Sequence, residues 1–184
     1  MKIYKFIILL VVPLILCAFC SGCNSIAKTN VTSEPGNSES RMSFIKELDK
    51  FTNIYINNKF KFSVAYPKKW TVHEDVYNSG TNEQNASPDG GLNIFVEGKQ
   101  DEIIYVYGQV GHIVIPEPDF QRDDFTTNSG LKGTLSSKEI DGKKVIYLIL
   151  DEGFIGAYLN IKTEHFNQNK NEIISILRSI NLIK

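Results

Sequence analysis

LKGTLSSKEIDGKKVIYLILDEGFIGAYLNI, residues 131–161, decides how this chain folds. Leu131 to Ile140 runs into Asp141-Gly142, a dipeptide that two-residue hairpins favour because both central positions need positive φ. Lys144 to Leu150 is apolar on both alternating sets of positions, the pattern of a central strand covered on two sides. Asp151-Glu152-Gly153 turns the chain again, and Phe154 to Ile161 returns. The stretch therefore predicts three antiparallel strands.

Working outward from it, the C-terminal segment Asn169 to Ile180 changes period. Ile173, Leu177 and Ile180 share one helical face, widened by Ile176, and Asn169 with Glu172 has the spacing of a capping box. Towards the N-terminus lie two further strand candidates, Leu92 to Glu97 and Ile103 to Gln109, with loop-like stretches at 77–91 and 116–130. Earlier still, Phe60, Phe62, Val64 and Tyr66 alternate with Lys61, Ser63 and Ala65, the mark of a half-buried strand that Pro67 ends. Ile54 to Ile56 precedes it across Asn57-Asn58, a hairpin turn. Ser43 is placed to cap a short helix carrying Phe44, Leu48 and Phe51, and Trp70 to plug the core at a sheet corner. The expected class is α+β: an antiparallel β-sheet with helices near both chain ends, in one domain over 43–184.

Composition narrows the function classes. The chain has 184 residues, 42% hydrophobic and 11% aromatic, enough to build a core and unlike a charge-rich disordered chain. Its 20 basic and 21 acidic residues leave a net charge of -1, which argues against nucleic acid as a partner.

The first 23 residues read as an address. Lys2 and Lys5 precede an apolar run from Phe6 to Phe19, shorter than the roughly 20 residues a membrane span needs. A basic start, a short apolar core and small residues are the parts of a secretory signal peptide. Ser21-Gly22 directly before Cys23 resembles the lipobox of bacterial lipoproteins, although Cys20 stands where that pattern usually has Leu. The resemblance implies cleavage between Gly22 and Cys23 and acyl chains on Cys23, so that residues 1–22 are the signal peptide. A plain signal peptide cut nearby, or an uncut signal anchor, is the alternative. All three cysteines lie at or before that point, which leaves the rest of the chain no thiol for a disulfide, a metal or catalysis. Residues 23–42 form the lipidated cysteine and a polar tether, Asn24 to Met42, that spans about 65 Å fully extended. The expected location is the extracytoplasmic face of the cell membrane, held by lipid.

Phe60-Lys-Phe-Ser-Val-Ala-Tyr-Pro-Lys-Lys-Trp70 is similar to the opening strand of the PsbP-like lipoproteins of bacteria. Asp141-Gly142-Lys143-Lys144, Ala157-Tyr158-Leu159, Phe166 and Ile176-Leu177-Arg178-Ser179-Ile180 resemble that family's closing block. The resemblance covers about Ile54 to Ile183. It implies an α/β/α sandwich, a sheet with helices on both sides, and a mostly non-enzymatic role.

Candidate sites are few. No nucleophile elbow, zinc-protease pair, phosphate loop or calcium loop occurs. Tyr105, Tyr107 and His112 lie in a strand and its exit, with Tyr147 and Tyr158 in the late hairpin; such tyrosines line a ligand groove or simply stabilise cross-strand pairs. His73, Asp119, Asp123 and Asp124, the last three grouped with Glu117, have metal-ligating side chains, but solvated surface charge is the simpler account and no dedicated metal site is expected. No cofactor and no catalytic residue is assigned. The expected function is a lipid-anchored binding or accessory protein, an adaptor for another envelope protein, with a small-solute or metal-binding lipoprotein as the alternative.

Overall fold

The computed structural model describes residues 43–75, 89–109, 116–151 and 154–183. Cys23, Gly22, the signal peptide, the tether and His112 lie outside the described residues.

Two antiparallel sheets and one helix form the architecture. The small sheet joins β1 (Ser43–Glu47), β2 (Thr52–Asn57), β3 (Phe62–Pro67) and the short β11 (Asn181–Leu182) in that order. The large sheet contains β4 (Thr71–Asp75), β5 (Asp89–Phe95), β6 (Ile103–Gln109), β7 (Gln121–Thr126), β8 (Lys132–Ile140), β9 (Lys143–Leu150) and β10 (Ile155–Lys162). Its spatial order is β4-β5-β6-β10-β9-β8-β7. The helix α1 (Thr163–Arg178) follows β10 directly.

The late hairpins form as their sequence dictates. Asp141 and Gly142 both take positive φ, 49° and 72°, and the turn sets the register Ile140↔Lys143. Alternation along β10 and β9 sends Ile155, Ala157, Leu159 and Ile161, with Ile146, Leu148 and Leu150, to one face of the large sheet. Ile104, Val106, Leu92 and Ile94 continue that face across β6 and β5. Phe166, Ile173, Ile176 and Leu177 of α1 join the same core, together with Phe62, Val64 and Tyr66 of β3. Trp70, in the corner between β3 and β4, is buried in this core as expected.

The fold is mostly β, with two antiparallel sheets, and so differs from the expected α+β class, an α/β/α sandwich with flanking helices. Strand dominates, and among the described residues there is one α-helix, on one face of the large sheet; the other face carries none. Three segments account for the difference. Ser43 to Glu47 is strand β1, paired from Ser43↔Asn57 to Glu47↔Asn53, and the Ser43 hydroxyl donates to Glu74 rather than capping a helix. So short a segment does not repay helix nucleation, whereas β2 offers it backbone partners at once. Within 116–130 lies β7, and after Trp70 lies β4; both are edge strands of mostly polar residues, so neither has an apolar period to reveal it. The helix begins at Thr163 rather than Asn169, so Asn169 does not cap it; its side-chain amide donates to the His165 carbonyl at 3.1 Å.

Candidate functional site

The face of the large sheet turned away from α1 carries the tyrosines. Register places Tyr105 of β6 opposite Tyr158 of β10, Tyr158 opposite Tyr147 of β9, and Tyr147 opposite Ser136 of β8. Because side chains alternate with period two, these residues point away from Val106, Leu148 and Leu159 in the core. The same row runs on through Asn93 to His73 at one edge and to Arg122 at the other. Tyr107 occupies the neighbouring row opposite Gly156. A Cβ on Gly156 would lie 3.0 Å from the Tyr107 hydroxyl oxygen and 2.7 Å from the Leu148 carbonyl, so the glycine is what lets the Tyr107 ring lie against β10.

The rings support one another. Tyr105 and Tyr107 stack with centroids 5.2 Å apart, and Tyr147 meets Tyr158 at 5.1 Å. Phe120 packs its edge on Tyr147 at 5.7 Å, and the Lys138 ammonium lies 5.8 Å from the Phe120 centroid while pairing with Asp119. Burial, then the neighbouring Tyr158 and Glu117, raise the Tyr147 phenol above its ordinary value. Tyr107 is buried and supports the others, while Tyr105, Tyr147 and Tyr158 are half-buried, so the surface offers parts of these three rings for apolar contact, a pairing that suits protein interfaces.

The sequence candidates fare differently. Tyr105 and Tyr107 come together with Tyr147 and Tyr158. His73, on β4, is paired with Asn93, and its neighbour Glu74 faces the opposite way to accept from the Tyr55 hydroxyl at 2.9 Å. Asp119 is engaged by Lys138, Asp123 accepts from the Gln121 side-chain amide at 3.3 Å, and Asp124 opposes Thr134. Adjacent positions on β7 send Asp123 and Asp124 to opposite faces, so the acidic residues do not converge. Among the described residues no three His, Cys, Asp or Glu side chains are grouped as a metal ion would need.

One constellation was not singled out from the sequence. Glu102, fully buried before β6, places a carboxylate oxygen 2.6 Å from His165 Nδ1 on the first turn of α1. The Lys99 ammonium sits 3.2 Å from His165 Nε2 and 2.9 Å from Glu97. A carboxylate that orients an imidazole is the start of a general base, but here the Lys99 ammonium lies within 3.3 Å of both ring nitrogens. The group ties the helix start to the Val96–Gly98 turn. Only the tertiary fold brings Glu102 and His165 together, and no local spacing announces it.

No protein-family model, no curated protein and no solved structure matches the chain.

Proposed function

We propose that this is a lipid-anchored extracytoplasmic protein with a non-catalytic binding role, an adaptor that holds another envelope protein against the tyrosine face of its large sheet. The observation that supports it is the convergence of Tyr105, Tyr107, Tyr147 and Tyr158, from three adjacent strands, on the sheet face opposite α1. Rigid amphipathic rings on a strand scaffold give contact area at low entropic cost, and such rings dominate binding energy in interfaces. The anchor is carried by Ser21-Gly22-Cys23, and the tether gives the domain reach from the membrane.

The test is crosslinking in intact cells. The wild-type chain is expected to give a discrete protein adduct, and the Tyr147→Ala/Tyr158→Ala chain to lose it at equal abundance. An aromatic anchor worth about 2 kcal/mol weakens a complex about thirtyfold. An adduct of unchanged yield in the double variant would refute the assignment of this face.

A further inference from the structure

We propose that the tip of the β1–β2 hairpin is a seat for an anionic phospholipid surface, so that the domain rests on the membrane in one orientation instead of being held by its lipid anchor alone. The inference rests on the lipid-anchored reading for its setting.

The tip is unusual in what it exposes. Phe51 is 72% exposed, Leu48 55% and Ile45 45%, all within seven residues of the small sheet's edge strand and its turn. A frayed loop does not explain this exposure. The Leu48 amide donates to the Thr52 carbonyl at 3.0 Å, the Asp49 carboxylate accepts from the Phe51 amide at 2.7 Å, and the Lys68 amide donates to the Phe51 carbonyl at 2.8 Å. These bonds hold the backbone of the turn, with the Phe51 side chain exposed upon it. Exposed apolar side chains grouped in this way mark contact surfaces.

The surrounding charge selects the occupant. Lys50, Lys68 and Lys69 line a shallow cavity with Phe51, Pro67 and Glu172. The Lys50 ammonium lies 5.3 Å from the Phe51 ring centroid. Lys68 pairs with Glu47 at 2.9 Å and Lys69 with Glu172 at 2.7 Å, but both are partly exposed pairs of the kind that contribute little to stability. Counting Lys46 and Asp49 as well, four lysines face three carboxylates, a local charge of +1 on a domain whose residues 43–184 sum to 16 basic minus 19 acidic, or -3. The tip thus opposes the domain's net negative charge, and an aromatic and a leucine flanked by lysines are the pairing that an interfacial contact uses. Reach is not limiting, because the chain enters β1 at Ser43, one short strand from the tip.

The chain's single tryptophan supplies the readout, since Trp70 directly follows Lys68 and Lys69. The full chain, purified from membranes, is reconstituted into phosphatidylglycerol–phosphatidylcholine vesicles carrying a dansyl headgroup lipid, and energy transfer from Trp70 is measured. Seating predicts strong transfer that falls to the level of a tethered, unseated domain in Leu48→Glu/Phe51→Glu, while the variant still floats with the vesicles through its anchor. Each lysine reversed among Lys50, Lys68 and Lys69 is expected to lower the seated-to-unseated ratio about fivefold or more, the equivalent of about 1 kcal/mol per basic residue at an anionic surface. Transfer that is equal in wild type and variant overturns the proposal. So does a dimer in light scattering that dissolves with Phe51→Glu, which would place a second copy on the tip. Loss of flotation together with an unmodified Cys23 in mass spectrometry would instead refute the anchor. Transfer that depends on Phe51 when wild-type protein is added from solution would still support the seat in that case.

Discussion

Tyr55 shows how single side chains join the two sheets. Its ring is buried and tilted on Phe62 at 5.9 Å, while its hydroxyl donates to Glu74 of the large sheet at 2.9 Å and accepts from the Asn57 amide at 2.9 Å. Burial, reinforced by the Glu74 carboxylate, raises the phenol far above its ordinary value of 10.0. The folded state therefore favours the protonated phenol. Its contribution is fully present below about pH 10 and is lost as the pH rises from there towards the folded-state value. Melting temperature is expected to stay level with respect to this group up to about pH 10 and to fall above it. Tyr55→Phe should flatten that alkaline fall while lowering the baseline, since Glu74 and Asn57 lose a partner. Tyr66 and Tyr147, shifted in the same direction by burial, keep part of the slope. An alkaline slope identical in wild type and Tyr55→Phe would exclude Tyr55 as its source.

At the scale of elements, the hinge of the fold is where α1 ends against β3. The Ser179 hydroxyl accepts from the Ala65 amide at 2.9 Å and lies 2.7 Å from the Ile176 carbonyl, so one small side chain closes the helix and fastens it to the small sheet. Ser179→Ala should cost about 1–3 kcal/mol in urea unfolding, with the slope unchanged, because a partly buried amide loses its partner. A cost below about 0.3 kcal/mol would mean that water replaces the hydroxyl without penalty. Elements of this kind differ in how far the sequence reveals them. Strands β8, β9 and β10 were legible because Asp141-Gly142 fixes a turn and the core side chains alternate around it. Strands β4 and β7 were not, because an edge strand buries too few side chains to write a pattern. The segment at β1 misled, since Phe44, Leu48 and Phe51 recur at helical spacing although backbone pairing with β2 decides the outcome. The same limit applies to the site. Tyr105 and Tyr107 stood out on one strand, but their neighbours Tyr147 and Tyr158 become neighbours only through the pairing of β6 with β10, which no local spacing encodes.

At the scale of the whole molecule, the proposed lipid anchor assigns the N-terminal segment and the described domain separate tasks, and substitution tests that division. Cys23→Ala is expected to release the protein from membranes or to leave its precursor uncut, as read by fractionation and intact mass, without changing the melting of the domain. Fully processed, membrane-bound protein in that variant would refute the lipobox assignment. The pairing of β11 with β3 bears on how such a chain is made. Asn181 lies opposite Ser63, and the Ile183 amide donates to the Lys61 carbonyl at 2.9 Å. The fourth strand of the small sheet therefore cannot pair until residues 181–183 have been synthesised and have travelled back to a strand made near the domain's beginning. Such non-local topology folds on the order of milliseconds to seconds rather than microseconds. Under the lipid-anchored reading proposed above, a β11–β3 pairing that forms late would leave the chain loose enough to be translocated before it locks.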